Sequence, residues 1–142
     1  MSAEVAFSAF YLRKVEVERR ARLFFYTHRG TSLELVEQDV WRFREVLGGE
    51  VPMPKTATEK VRLRPGTMLT VVPECDELEF NLPMLTKRWD PDWVRYEFDF
   101  RAGKELAGKT AIVNIAIQVA GMEIASIKSC AQLRLLRRRE KS

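Results

Sequence analysis

The sequence predicts a mainly β protein of the α+β class, an antiparallel sandwich of two sheets with about seven to eight strands and one amphipathic helix. Three observations predict this fold. Most segments alternate apolar and polar residues, which is the period of a strand that is buried on one face. Prolines and glycines separate these segments at short, regular intervals. A single segment instead repeats its apolar residues at the spacing of a helix.

Strands are predicted throughout the first half of the chain. The stretches near FYLRKVEV and at ARLFFYTHR (21–29) are rich in β-branched and aromatic residues, which favour strands. In KVRLR, Val61 and Leu63 alternate with basic residues, and MLTVV (68–72) and LEFNL (78–82) continue the series. The turns between them are marked by Pro65-Gly66, Pro73 and Pro83.

The second half contains the clearest strand, VRYEFDFR, in which four apolar residues alternate with four charged ones. Its apolar side consists of Val94, Tyr96, Phe98 and Phe100. Further on, AIVNIAIQV and MEIASIKSCAQLRLL flank Ala120-Gly121, which predicts a hairpin with a short loop. Short antiparallel strands in this number are typical of an immunoglobulin-like sandwich.

The segment TSLELVEQDVWRFREVLGG predicts a helix over about residues 32–48. Thr31, with Glu34 three positions later, indicates a capping box at its start. Gly48 and Gly49 indicate its end, because glycine adopts a left-handed turn without a Cβ clash. The apolar stripe at steps of three and four consists of Leu33, Val36, Val40, Phe43 and Leu47.

Length and composition bound the class of protein. A chain of 142 residues fits one domain, 1–142, and its 46% hydrophobic and 31% charged residues are ordinary for a folded protein. No apolar run approaches about eighteen residues, so no membrane span is expected, and the N-terminus lacks a secretory pattern. Cys75 and Cys130 have no metal-ligand spacing and are expected to be reduced, which predicts a cytoplasmic location.

GKELAGKT, residues 103–110, matches the phosphate-loop pattern G-x-x-x-x-G-K-[ST] and makes a nucleotide-binding protein one alternative. Such a loop requires a helix directly after the Lys-Thr pair, because the first helical N–H groups hold the phosphates. Here the run after Thr110 alternates isoleucine and valine with other residues and predicts a strand. Gly103 to Gly108 is therefore expected to be only a connection between two strands.

No catalytic constellation is recognisable, so the sequence predicts a protein that is not an enzyme and uses no cofactor or metal. His28 is the only histidine and is expected to be hydrogen-bonded or at the surface. Cys75 lies among carboxylates in PECDELEF, which disfavours its thiolate. Those carboxylates lack the order of a calcium loop and are interpreted as a solvated turn.

The features that remain suggest contact with another protein. Trp89 and Trp93 bracket the turn of KRWDPDWVRYEF, and Arg88 adjoins the first of them, a composition favoured at interface hot spots. Trp89 is expected at the surface, whereas Trp93 is more readily explained as a core residue. Trp41 lies off the apolar stripe of the helix and fits either an exposed or a buried position. An unpaired outer strand would offer a further docking edge by strand addition.

The chain carries a net charge of +4, with a basic C-terminal tail at residues 133–142. A solvated terminus is the favoured interpretation, and a nucleic-acid or anionic-surface binder is the other alternative. No aromatic residue interleaves the arginines, so a base-stacking platform is not indicated. The candidate anion contacts are Arg134, Arg137, Arg138 and Arg139.

The order of FFYTH, SLELVEQDVWRFREVLGGE, VRLRPGTMLTVVPECDELEFN and KRWDPDWVRYEFDFRA, with the final hairpin, resembles an accessory domain of bacterial multidomain proteins. That domain adjoins effector modules such as TIR or caspase-like domains in signalling and defence proteins. The resemblance covers about residues 10–135 and rests on patterns rather than on catalytic motifs. It implies a β-sandwich that senses, docks or regulates, with a protein partner or an adjoining effector domain. The catalytic residues of those effectors are absent, so it implies no activity.

Overall fold

The protein is described by a computed structural model that covers residues 2–47, 49 and 53–135. Its one α-helix is α1 (Leu33–Trp41), and two short 3-10 turns occupy Gly30–Ser32 and Lys104–Leu106. The strands in chain order are β1 (Ala3–Tyr11), β2 (Lys14–Glu16), β3 (Ala21–Arg29), β4 (Lys55–Thr56), β5 (Val61–Leu63), β6 (Met68–Glu74), β7 (Leu78–Phe80), β8 (Leu85–Arg88), β9 (Trp93–Ala102), β10 (Thr110–Val119) and β11 (Met122–Arg134). The prediction of a mainly β fold with two sheets and one helix is confirmed. The described residues form eleven strands rather than seven or eight, because the predicted stretch near FYLRKVEV divides between β1 and β2 and because β4 and β8 were not predicted.

The strands form two sheets. The first has the order β4–β1–β3–β9–β7, with β5 also paired to β1, and the second has the order β2–β11–β10–β6–β8. All pairs are antiparallel, as predicted, except β2 with β11, which is parallel. Neither β8 nor the parallel β2–β11 pair is expected from the sequence pattern.

The main core lies between the two sheets. On β9, Tyr96, Phe98 and Phe100 are buried, while the residues between them are half-buried and polar, so the predicted alternation is confirmed. β10 contributes Ile115 and Ile117 from the second sheet. Each such side chain stabilises the fold by roughly 1.5–3 kcal/mol relative to an exposed one.

A second apolar cluster lies on the outer face of the first sheet, underneath α1. β1 and β3 supply Phe10, Phe24 and Tyr26, and the helix supplies Val36 and Val40. β1 and β3 are consequently buried on both faces along most of their length. The helix therefore covers the outer face of the first sheet.

The helix is shorter than predicted. The α-helix ends at Trp41, and residues up to Leu47 continue as turns whose hydrogen bonds mostly span three residues, such as Phe43 N–H to the Val40 carbonyl. The capping-box prediction is wrong, because the N-cap is Ser32 and no side chain bonds the free backbone donors there. Gly49 has a φ of 94°, as expected for a chain leaving a helical segment, and Gly48 lies outside the described residues.

The hairpin of β10 and β11 is confirmed. Ala120 and Gly121 form its two-residue loop with φ values of 51° and 80°. Two positive φ values in succession are those of a type I′ turn, whose twist matches that of the strands.

Candidate functional site

The helix α1 is attached to the first sheet by a buried carboxylate. Asp39 is 4% exposed, and its Oδ2 accepts a hydrogen bond from the Tyr26 hydroxyl at 2.6 Å and another from Arg95 Nη1 at 2.7 Å. Arg42 Nη1 lies 3.6 Å from Oδ1, which is within ion-pair range but too long for a hydrogen bond. Since one carboxylate joins the helix to both β3 and β9, the helix is held in a fixed orientation.

Burial and the neighbouring Asp39 carboxylate together set the protonation of Tyr26 and Arg95. Burial raises the pKa of Tyr26 far above its ordinary value, and the hydrogen bond and charge of Asp39 raise it further. For Arg95, burial lowers the pKa, but the hydrogen bond and charge of Asp39 outweigh burial, so the net pKa is raised. Tyr26 is therefore a neutral donor and Arg95 a charged one.

The opposite side of α1 faces solvent and forms what we call the helix groove, lined by Glu34, Glu37, Gln38 and Trp41. These residues are spaced by three, one and three positions, which places them on one side of a helix. The groove has a volume of about 320 Å³. Two carboxylates and one aromatic ring therefore face the same shallow space.

Trp41 is the aromatic residue of the helix groove. It is 56% exposed, and the Arg44 guanidinium lies 4.5 Å from its ring centroid. Arg44 Nη1 also donates a hydrogen bond to the Trp41 carbonyl at 3.0 Å. The stacked cation restricts the ring while leaving more than half of it open to a partner.

The predicted interface residues do not form one surface. Trp41 and Arg88 are exposed, but they lie on α1 and β8, which belong to different layers. Trp93 is half-buried and packs against the apolar cluster under the helix, as its core interpretation predicts.

The expected surface position of Trp89 is wrong, because its side chain is fully buried in the main core. The β6–β8 pairing continues beyond the end of β8: Trp89 N–H donates to the Thr67 carbonyl at 2.7 Å, and Gly66 N–H donates to the Trp89 carbonyl at 2.8 Å. Strand alternation then turns Trp89 inward and leaves Arg88 outward.

Sequence reasoning missed Glu34, Glu37 and Gln38 as site residues. Their spacing relative to Trp41 was the available signal, because it places all four on one side of the predicted helix. Of the candidate anion contacts, Arg134 is exposed at the end of β11. Arg137, Arg138 and Arg139 lie outside the described residues.

The stretch 103–110 lacks the architecture of a phosphate loop. A 3-10 turn occupies Lys104–Leu106, and Thr110 begins β10, so the predicted strand after Thr110 is confirmed. The Glu105 carboxylate lies directly against Gly103. A negative charge over the first glycine and a strand in place of a helix both oppose phosphate binding.

His28 is part of a buried hydrogen-bond chain. It is 2% exposed, its Nδ1 lies 2.7 Å from the Arg29 carbonyl, and its Nε2 lies 2.8 Å from Ser8 Oγ. Ser8 Oγ in turn lies 2.9 Å from Thr56 Oγ1. Burial lowers the pKa of His28, and the hydrogen bond to Arg29 opposes this only in part. A carbonyl can only accept, so Nδ1 carries the proton and Nε2 accepts from Ser8.

Other chemistry is sparse in the described part of the chain. No three His, Cys, Asp or Glu side chains there are grouped so that they would hold a metal ion. Cys75 is half-buried and Cys130 is exposed, and both are free thiols. Among the described residues, no helix combines the length and apolar character that crossing a membrane requires.

Comparison with known protein families finds no family model that matches this chain, and comparison with curated proteins finds no similar sequence.

Proposed function

We propose that this chain is a non-enzymatic protein-interaction or regulatory module, cytoplasmic, of a bacterial signalling or defence protein. It binds its partner through the helix groove, and the partner is a separate protein or an adjoining effector domain. The observation that carries the proposal is the exposure of Trp41 on a helix that a buried carboxylate holds to the sheet. In this proposal the two sheets serve as an immunoglobulin-like scaffold.

The energetics of interfaces support Trp41 as the anchor. A tryptophan covers a large apolar area and still donates one hydrogen bond, and residues of this kind supply much of the binding energy in protein complexes. An exposed tryptophan contributes little to the stability of the isolated fold. A stacked arginine beside it restricts its rotamers, so binding costs less side-chain entropy.

The charges around Trp41 support a partner with a basic contact surface. Glu34 and Glu37 both line the groove and are exposed. A lysine or arginine of the partner would complete ion pairs with these carboxylates. Such pairs at the rim increase the association rate and the specificity more than the affinity.

A photocrosslinking amino acid at Gln38, inside the groove, tests the proposal in cells that naturally produce the chain. We expect a discrete adduct that Trp41→Ala abolishes. The matched control is Ile112→Ala, which should leave the adduct unchanged, since Ile112 is 58% exposed and lies on the second sheet. An adduct that survives Trp41→Ala, or the lack of any adduct, contradicts the proposal.

A further inference from the structure

The long strand β11 has one edge that is largely unpaired. β10 pairs with β11 along residues 110–119, whereas β2 covers the other edge only from Gln132 to Arg134. Within the described residues, positions 122–131 therefore have no strand on that side. β4 comes close from the other sheet, but its pairing partner is β1. An edge of this length displays free N–H and C=O groups that another strand can bind.

Two opposite charges lie on the solvent face of this edge. Lys128 pairs with Asn114 of β10, and Glu123 pairs with Gln118, so both point away from the core. They share a face although five positions separate them, because a β-bulge at Ile124 inserts one extra residue into β11. Both side chains are exposed.

We propose that β11 pairs with β11 of a second copy of this chain, antiparallel and with the two-fold axis at Ser126. Beyond the pair of Ile127 with Ala125, the bulge at Ile124 shifts the register by one residue. Lys128 therefore lies opposite Glu123 of the second copy, and the reverse pair forms by symmetry. Ile127 lies opposite Ala125 of the second copy, so the core-facing residues also share one face. The two five-stranded sheets would then join into one sheet of ten strands.

Charge complementarity identifies the second copy as the occupant. A lysine in an edge strand ordinarily prevents strand addition, because an arbitrary partner places no countercharge against it. Here the same strand carries the glutamate that the two-fold register brings opposite the lysine. The paired stretch also ends before Gln132, where β2 begins to occupy the edge. This interface is separate from the helix groove, which belongs to the outer side of the first sheet.

Charge reversal tests the pairing by analytical ultracentrifugation over a range of concentrations. We expect the unaltered chain to dimerise, and Lys128→Glu or Glu123→Lys alone to weaken dimerisation by about tenfold or more, since each places like charges opposite each other twice. The double variant should dimerise like the original. An equimolar mixture of the two single variants should form a heterodimer, since both of its cross-strand pairs are then of opposite charge.

The control is Arg88→Glu, which reverses an exposed cation on β8, at the other edge of the same sheet. It should leave dimerisation unchanged, and circular dichroism should show that every variant is folded. A chain that stays monomeric at all concentrations overturns the proposal. So does a dimer that tolerates both single reversals, or a mixture of the two variants that does not associate.

Discussion

The outer faces of the two sheets differ in what covers them. On the first sheet, Phe24 and Tyr26 of β3 point outward and are fully buried under α1. On the second sheet, outward residues such as Thr70, Asn114 and Gln118 remain half-buried without a covering helix. A strand with one dry face alternates, whereas a strand with two dry faces reads as a continuous apolar run. The order of apolar and polar residues along a strand therefore indicates whether one or both of its faces are packed against another layer.

The covered face also requires polar groups to be satisfied, because burial removes them from water. There the Tyr26 hydroxyl donates to Asp39 Oδ2, and Ser8 is hydrogen-bonded to His28. On the open face, the hydroxyls of Thr70 and Thr86 are 2.8 Å apart, but water is also available to them. We therefore expect polar substitutions to matter much more on the first sheet than on the second.

Two isoleucines on β10 give the largest expected contrast. Ile115→Ala removes a fully buried side chain between the sheets and should lower the free energy of unfolding by about 4 kcal/mol. Ile112→Ala, on the open face of the same strand, should lower it by less than about 1 kcal/mol. Urea denaturation measures both. Similar losses for the two variants would show that the open face is covered after all.

The next largest difference in stability is expected between a buried carboxylate of α1 and an exposed carboxylate of the second sheet. Asp39→Ala leaves the Arg95 guanidinium and the Tyr26 hydroxyl without their acceptor and should lower the free energy of unfolding by about 3 kcal/mol. Glu74→Ala removes an exposed carboxylate of the second sheet and should change it by no more than about 0.5 kcal/mol. Equal effects would mean that α1 does not depend on the buried network.

The smallest expected effect is a pH dependence from His28. Burial holds its pKa in the folded state below the ordinary value of 6.5, so the unfolded state binds a proton at a higher pH. The contribution of His28 to the free energy of unfolding is present above pH 6.5 and is lost as the pH falls towards the folded-state pKa. This one group changes the free energy of unfolding by at most about 1.4 kcal/mol per pH unit.

His28→Gln is the matched variant for this test. Both proteins are unfolded with urea at about pH 7.5 and about pH 5.5, and only the change between the two pH values is compared. The unaltered protein should lose more stability on acidification than the variant, because the other titrating groups are common to both. An identical change in the two proteins would show that the pKa of His28 is not lowered in the folded state.

Much of the fold was predictable because local pattern and tertiary environment agree. The predicted 21–29 strand coincides with β3, and the alternation of β9 and the hairpin at Ala120–Gly121 are also confirmed. The parallel pairing of β2 with β11 could not be predicted, because three residues carry no periodic signal and their partner lies more than one hundred positions away. The length of α1 was overestimated because the apolar stripe continues through turns that are no longer α-helical.

The candidate site was predictable only in part. The helical wheel separates Trp41 from the apolar stripe, but its exposure depends on where the helix docks. Trp89 was misplaced because β8 has no clear alternation: exposed Lys87 occupies an inward position, with its Nζ donating to the Arg95 carbonyl at 2.7 Å. With β8 recognised, the step from Leu85 to Trp89 would have indicated an inward side chain.

The hairpin of β10 and β11 has a consequence for how the chain assembles. Its strands are joined through two residues, whereas β3 and β9, the central pair of the other sheet, are separated by everything between Arg29 and Trp93. Loop-closure entropy grows with the length of chain that must be brought together. The hairpin thus requires the least prior ordering of the polypeptide, whereas the β3–β9 pairing must wait for distant segments to meet.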